Sequence, residues 1–154
     1  MNKYMKLAIE RARKTVAENI GGPFGACIVK DGEVIAVASN NVLSSHDPTG
    51  HAEVNAIRKA SEALGTHDLS GCIMYATGYP CPMCLGAMIW ANIDTLYYGC
   101  KPEDAEKIGF RDDFIYRYIK TGEKEGMTFN IEEVDREECL KLFAEYEANK
   151  KEIY

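Results

Sequence analysis

Two short motifs carry side chains that could hold a metal ion and move a proton. The first is His51-Ala52-Glu53, and the second is Cys81-Pro82-Met83-Cys84. Cys81 and Cys84 are three residues apart where a helix is predicted to begin, so their sulfur atoms would share one face of that helix. The helix N-terminus would stabilise both thiolates, which are the forms that bind metal. His51, at the start of an earlier predicted helix, could add a neutral imidazole.

The number of ligands favours a catalytic metal site. One histidine and two cysteines make three protein ligands, whereas structural zinc sites usually have four and catalytic sites keep one position for water. His46 and His67 lie in predicted loops and are interpreted as surface residues. Either motif alone could arise by chance, but the HxE and PCxxC order, with a helix, a strand and a second helix, is typical of zinc-dependent nucleobase deaminases.

Glu53 is predicted to be a proton carrier and not a ligand. It would take a proton from water and return it to a leaving amine. In a regular helix, His51 and Glu53 would point about 200° apart. Both can therefore face one metal only if His51 enters at the helix end, where directions are not yet regular.

The pattern of apolar residues predicts alternating helices and strands. Helices are expected over 2–20, 51–64, from 81 onward, over 102–108 and over 136–151, and residues 112–120 are predicted to form a short helical or irregular stretch. Strands are expected as a hairpin over 25–39 around Asp31-Gly32, and over 71–77, 93–100 and 127–134. Trp90 is interpreted as a core residue. This order predicts an α/β fold, a three-layer α/β/α sandwich around a central mixed sheet of five strands.

Composition limits the class of protein. The 154 residues suffice for one domain, residues 1–154, with a sizeable core. The net charge of -6 disfavours a long nucleic acid as partner. The N-terminus lacks the apolar core of a signal peptide, and no stretch is long enough to span a membrane. A cytoplasmic protein without a membrane partner is expected, with its six cysteines reduced.

The chain resembles the cytidine-deaminase superfamily and, within it, the bacterial guanine deaminases. The likeness extends beyond the two motifs to IGGPFGACIVKDGEVIA, SNN, DPTGHAEVNAIRKA, PCPMCLGAMIWA, GFRDDFIY and NKKEIY. The resemblance implies a cytidine-deaminase-like fold and a Zn²⁺ cofactor held by His51, Cys81 and Cys84. It also implies a hydrolase acting on a C–N bond, which converts guanine to xanthine and ammonia with Glu53 as catalytic residue.

The resemblance further implies four substrate-binding residues. Phe24 would pack against the purine ring, Asn40 would hold the purine edge, Asp112 would contact the amino side, and Tyr154 would close the pocket. An asparagine side chain can both donate and accept hydrogen bonds there. Asp113 stands beside Asp112, and a short insertion would exchange their roles.

The resemblance also implies a quaternary structure, and this sequence departs from the family at two positions. It implies a homodimer in which the C-terminal segment, about residues 120–154, is exchanged, so that Tyr154 serves the neighbouring site. Tyr79 stands where the superfamily often has glutamate, and Arg111 where an acidic residue is expected. Both departures leave the zinc chemistry intact but bear on the preference for guanine.

Two alternatives remain open at this point. The protein could deaminate another base or nucleoside, such as guanosine, cytosine, a triazine or adenosine in tRNA. It could also be a catalytically inactive, zinc-binding structural protein. Glu53 argues against the inactive protein, because a structural site has no use for a proton carrier. Net acidity argues against tRNA.

Overall fold

The computed structural model of the protein describes residues 1–154 and contains seven helices and four strands. The chain divides into two compact units, Met1–Gly122 and Glu123–Tyr154. None of the helices is both long and apolar enough to cross a membrane. The elements are α1 (Lys3–Ala17), β1 (Gly25–Lys30), β2 (Glu33–Ser39), α2 (Val42–Ser45), α3 (Ala52–Leu64), β3 (Cys72–Gly78), α4 (Pro82–Trp90), β4 (Thr95–Cys100), α5 (Pro102–Lys107), α6 (Asp113–Thr121) and α7 (Arg136–Ala148).

The four strands form one mixed sheet in the order β2-β1-β3-β4. β1 pairs antiparallel with β2 and with β3, whereas β3 and β4 run parallel. The hairpin between β1 and β2 turns at Asp31 and Gly32, both with positive φ, 49° and 80°. These angles suit a two-residue hairpin turn, and Asp-Gly is one of the pairs that adopt them readily. The predicted hairpin and the mixed α/β sheet are confirmed.

The prediction of a five-stranded sheet is wrong, because the sheet has four strands and residues 127–134 form none. Met127, Phe129 and Ile131 alternate with polar residues, which is why a strand was expected. Alternation identifies a possible apolar face, but a strand also needs a neighbouring strand that takes its backbone hydrogen bonds. That requirement is tertiary and does not appear in the local pattern.

Helices pack on both faces of the sheet, and β1 is therefore buried on both sides. Its side chains at Ala26 and Ile28 join the core beneath α3 and α4, and those at Cys27 and Val29 join the core beneath α1. α3 contributes a stripe of fully buried small residues, Ala52, Ala56 and Ala60. These alanines let the helix lie close to the sheet and hold its N-terminus at one sheet end.

The candidate site residues lie at that end of the sheet. Gly25 of β1 pairs with Ser39 of β2, and Ala26 pairs with Ala76 of β3. The start of β1 and the ends of β2 and β3 therefore lie side by side. Phe24 precedes β1, and Asn40 follows β2. The cysteine motif follows β3, so that all three loops meet at the carboxyl end of the parallel strands, where α/β proteins usually bind ligands.

Candidate active site

Three metal-ligating side chains converge where α3 and α4 begin. Nδ1 of His51 lies 3.5 Å from Sγ of Cys81 and 3.5 Å from Sγ of Cys84. The three ligand atoms all lie within 4.8 Å of one another. A tetrahedral ion with Zn–S bonds of about 2.3 Å and a Zn–N bond of about 2.0–2.1 Å requires nitrogen–sulfur separations of about 3.6 Å. The donor set and its spacing therefore fit zinc.

The local backbone explains how these side chains meet. His51 is the N-cap of α3 and has extended angles, φ -76° and ψ 152°. Cys81 is the N-cap of α4, with Pro82 in the first turn, and its Sγ accepts a hydrogen bond from the Cys84 backbone N–H at 3.5 Å. Because His51 precedes the regular helix, its side chain and that of Glu53 both reach the cysteines. The geometric condition set by the HxE spacing is met.

Glu53 places a buried carboxylate beside the metal donors. Its side chain is only 6% exposed, and the Cys84 thiol donates to its Oε2 at 3.4 Å. Burial raises the pKa of Glu53 above its ordinary value. A carboxylate that is deprived of water in this way is a better proton acceptor than an exposed one, which suits a group that must both take and return a proton.

The pKa values of the Cys81 and Cys84 thiols are shifted in opposite directions. The hydrogen bond from the Cys84 thiol, aided by the His51 imidazole, lowers the pKa of Cys81 to about 4. The neighbouring Cys81 and burial raise the pKa of Cys84. The two pKa shifts are opposite in direction, so of the two thiols it is Cys84 that keeps its proton. Cys84 would release that proton when a metal is bound, because only the thiolate is a ligand.

A cavity of about 660 Å³ opens onto these groups. Its wall includes His51, Glu53 and Cys81, together with Phe24, Asn40 and Asp112. The structure therefore brings six of the eight predicted site residues to one cavity, and Cys84 lies buried against His51 and Glu53. The Phe24 ring packs edge-on against Phe110 at a centroid distance of 5.1 Å, which leaves an aromatic wall beside the metal donors.

Asn40 offers a donor to the cavity and no acceptor. Its Oδ1 accepts hydrogen bonds from the backbone N–H of Gly22 at 3.2 Å and of Val42 at 3.1 Å. Both partners are donors, so the amide oxygen must face them and Nδ2 is left for a ligand. Two backbone groups already occupy the amide oxygen, and the expected contact of this side chain with the purine edge stays a prediction.

Of the two adjacent aspartates, Asp112 faces the cavity. Asp113 pairs with Arg111 at 2.8 Å and with Arg117 at 3.2 Å, and the hydrogen bond from Arg111 lowers the pKa of Asp113. Asp112 has no such partner among these arginines, and burial raises the pKa of its carboxyl. Asp112 therefore lines the cavity without an ion pair to these arginines, whereas Asp113 pairs with Arg111, which also lines the cavity, and the substrate contact of Asp112 stays a prediction.

Tyr79 and Tyr154, which the sequence analysis singled out, lie in different parts of the chain. Tyr79 lines the cavity and packs edge-on against Tyr98 at 5.0 Å. Tyr154 belongs to the C-terminal unit, where it is 84% exposed. Its role in closing a pocket stays a prediction.

Sequence reasoning missed two contacts that support the site. The hydroxyl of Tyr116 on α6 donates to the Pro80 carbonyl at 2.8 Å, one residue before the Cys81 ligand. Asn55 on α3 donates to the loop that carries Asn40. Neither partner could be inferred locally, because each contact joins residues of different elements that are far apart in the chain.

Comparison with known proteins agrees with this geometry. The family model for the cytidine and deoxycytidylate deaminase zinc-binding region matches residues 1–100. The guanine deaminase of Bacillus subtilis (strain 168) is 47% identical over 151 residues, which cover 97% of this chain and 96% of that protein. A tRNA-specific adenosine deaminase of Agrobacterium fabrum is 44% identical over 98 residues, 64% of each chain.

Solved structures give the same relationship. The crystal structure of guanine deaminase from Bacillus subtilis matches with a TM-score of 0.91 and 46% identity, over all of both chains. A guanine deaminase from Nitrosomonas europaea matches with a TM-score of 0.67 and 34% identity, over 71% of this chain and 63% of that one. The resemblance read from the motifs is thus confirmed, and the chain belongs to the cytidine and deoxycytidylate deaminase family, whose shared segment is a zinc-binding region.

Proposed function

We propose that the protein is a zinc-dependent hydrolase that converts guanine and water to xanthine and ammonia. The observation that carries the proposal is the buried Glu53 carboxylate. Its Oε2 lies 3.4 Å from Sγ of Cys84, one of the three metal-donor atoms, and Glu53 lines the cavity. A structural metal site needs no such group. The relatives named guanine deaminase, similar over nearly the whole chain, support the choice of substrate.

Zinc would be held by His51, Cys81 and Cys84. Bound there, it supplies Lewis-acid chemistry, which lowers the pKa of water and makes a nucleophile available near neutral pH. Three protein ligands leave a position for that water, as in other catalytic sites. Cysteine thiolates and a neutral imidazole are ligand types that zinc prefers.

Glu53 is the proton carrier of the proposed reaction. Its carboxylate would remove one proton from water as the oxygen attacks C2 of guanine and deliver it to the ring nitrogen. It would then take the second proton from the new C2 hydroxyl and deliver it to the departing amine, which leaves the carboxylate unchanged at the end of the reaction. The new C–O bond replaces the C–N bond, and ammonia leaves. Burial keeps other water away from the carboxylate, so its proton goes to the substrate.

The remaining cavity residues would hold the base. Phe24 packs against the ring, Asn40 Nδ2 donates to an acceptor on the purine edge, and Asp112 accepts from the amino side. These three line the same cavity as His51 and Cys81. The base would therefore be held on three sides, with its C2 amine directed at Glu53.

Deamination of adenosine in tRNA is the second candidate, because two adenosine deaminases of tRNA are 44% and 40% identical over 64% and 62% of the chain, and another is 34% identical over 97% of it. The net charge of -6 opposes it, since a polyanion gains affinity from cationic surfaces. The other bases and nucleosides are distinguished from guanine only by assay. The inactive structural protein is disfavoured by the buried Glu53.

A screen for ammonia release tests the proposal. Zinc-loaded protein is incubated with guanine, guanosine, cytosine, adenine, an aminotriazine and a tRNA, with Glu53→Gln as the matched control. We expect guanine to give the highest kcat/KM and the control to give no release above background. Preference for cytosine or for tRNA would refute the substrate, and no release with any compound would support the structural protein instead.

We also propose that the protein is a homodimer whose C-terminal segment, about residues 120–154, is exchanged, with Tyr154 closing the neighbouring site. Each unit by itself exposes large apolar side chains, which is typical of surfaces that are covered in an assembly. In the first unit Trp90 is 80% exposed, so its interpretation as core is wrong. In the C-terminal unit, Leu142 is 62% and Phe143 is 69% exposed.

Complementation between two inactive variants tests the exchange. Glu53→Gln keeps its tail but lacks the proton carrier, and deletion of Ile153 and Tyr154 keeps Glu53 but lacks the tail. If tails serve the partner, each mixed dimer contains one complete site. Co-expression should then restore about one quarter of wild-type activity, because about half of randomly paired dimers are mixed. A monomer by light scattering, or no restored activity, would contradict the exchange.

A further inference from the structure

Asn55 is a half-buried amide that touches two segments of the candidate site at once. Its Nδ2 lies 2.8 Å from Oδ1 of Asn41, 3.0 Å from the carbonyl of Ser39 and 3.3 Å from the carbonyl of Gly50. All three partners are acceptors, so Nδ2 is the donor of each contact. One nitrogen with two hydrogens thus donates to three oxygens, which belong to two parts of the chain, residues 39–41 and Gly50.

The first two acceptors belong to the residues on either side of Asn40 in the chain. Ser39 is the residue before it, and Asn41 is the residue after it. Asn40 itself is anchored by its backbone N–H on the Phe24 carbonyl at 3.0 Å and by its Oδ1 on two backbone amides. Asn55 adds an anchor on each side, which restricts rotation of the backbone that directs Nδ2 of Asn40 into the cavity.

The third acceptor belongs to the metal side of the site. Gly50 directly precedes His51, and the backbone N–H of Asn55 donates to the His51 carbonyl at 2.9 Å, one helical turn earlier. The Gly50 carbonyl also accepts from the Asn41 backbone N–H at 2.9 Å. Asn55 therefore joins the Asn40 loop, residues 40–50, to the helix start that carries a metal-ligating residue.

The packing leaves little freedom for another arrangement. A Cβ added to Gly50 would come within 2.4 Å of Oδ1 of Asn41, the same oxygen that accepts from Asn55. The loop and the helix start approach each other so closely that only glycine fits. The position of Asn40 relative to His51 is thus set by close contact at Gly50 and by the hydrogen bonds of Asn55.

We infer that Asn55 is a positioning residue that fixes the donor of Asn40 relative to the metal donors, and so determines substrate affinity without touching substrate. This inference rests on the proposed function for its effect on guanine. Its effect on the Asn40 loop is independent of substrate. The two effects are measured separately.

The variants are chosen to separate lost hydrogen bonds from lost volume. Asn55→Ala removes both, whereas Asn55→Asp keeps the shape and replaces the donor by an acceptor that faces three oxygens. Thr15→Val is the matched control. It removes the buried 2.5 Å hydrogen bond between Thr15 Oγ1 and Ser39 Oγ, which also touches residue 39 but reaches neither Asn41 nor Gly50.

Hydrogen–deuterium exchange, measured without substrate, reports on the loop. We expect peptides covering residues 40–50 to exchange about tenfold faster in both Asn55 variants than in the wild type, because backbone bonds of the loop open more often. The Thr15→Val control should leave this segment unchanged. Unchanged exchange of the loop in both Asn55 variants would overturn the inference whatever the substrate is.

Binding and kinetics report on Asn40. The Kd of guanine, measured by calorimetry in the Glu53→Gln background, and the KM in the active background should both rise about tenfold in the Asn55 variants. The kcat should stay within about threefold, and the zinc content should be unchanged. An equal rise in KM in Thr15→Val would show a general loss of stability and would refute the positioning role. Absence of guanine turnover in the wild type would refute the proposed function and leave the exchange result to decide the positioning of the loop.

Discussion

Replacing Asn40 by aspartate separates its two tasks. Oδ1 of Asn40 accepts from the backbone N–H groups of Gly22 and Val42, while Nδ2 is left for a ligand. Aspartate keeps an oxygen at the first place and puts a second oxygen where the donor was. The loop contacts should therefore survive, and even strengthen, because a carboxylate accepts more strongly than an amide. The donor to the substrate is lost.

The two changes differ in size and can be estimated. In Asn40→Asp, the substrate acceptor loses its partner and meets an oxygen instead. An unpaired buried group costs about 1–3 kcal/mol, and acceptor facing acceptor adds repulsion, so we expect kcat/KM to fall about 10²–10³-fold. In Asn40→Ala, two backbone amides lose their acceptor as well. At about 1 kcal/mol each, this variant should be about 2 kcal/mol less stable, which lowers Tm by about 4–8 °C.

The assay combines steady-state kinetics on guanine with thermal unfolding and elemental analysis of zinc. Asn40→Asp is expected to unfold near the wild-type temperature with full zinc content and a severe loss of activity. Asn40→Ala should lose both activity and stability. The reasoning is refuted if aspartate retains more than about one tenth of wild-type kcat/KM with normal stability, since Nδ2 would then not be the group that holds the substrate.

Three further variants test the metal centre and its support. Glu53→Gln should retain zinc and fold but lose at least about 10⁴-fold in kcat, because glutamine cannot carry a proton; near-normal turnover would exclude Glu53. The double change Cys81→Ser and Cys84→Ser should abolish zinc binding, measured by elemental analysis, and full occupancy would refute the ligand set. Tyr116→Phe removes the hydrogen bond to Pro80 and should lower Tm by about 2–4 °C. Burial raises the pKa of Tyr116 to about 12, so the hydroxyl stays protonated and the decrease in Tm should be equal at about pH 6 and pH 9.

The parts of the molecule that depend on local chemistry were predictable from sequence. Asp31-Gly32 identifies the hairpin because the turn requires two positive φ angles. The meeting of His51 with Cys81 and Cys84 was predictable because each motif stands at a helix start, and proline marks the second start.

The parts that depend on distant neighbours were not predictable. Residues 127–134 alternate like a strand but form none, because strand formation also depends on a partner for backbone hydrogen bonds. Trp90 follows an apolar helical pattern yet is exposed, since an apolar residue suits a core and a contact surface equally well. The hydrogen bonds of Asn55 join it to residues 39 and 41, and no local pattern indicates these partners.

We expect the cavity to select its ligand by hydrogen bonding more than by shape. Its volume of about 660 Å³ is in the range of sites for drug-sized ligands, so a single base does not fill it and fit alone cannot discriminate. The cavity side of Asn40 is a donor, and Asp112 is a half-buried acceptor. A base that presents an acceptor to Asn40 and an amino group to Asp112 satisfies both. A base that lacks either feature leaves a desolvated polar group unpaired, at about 1–3 kcal/mol for each such group. Preference for guanine should therefore fall in Asp112→Ala mainly because guanine turnover falls, while turnover of other bases changes little.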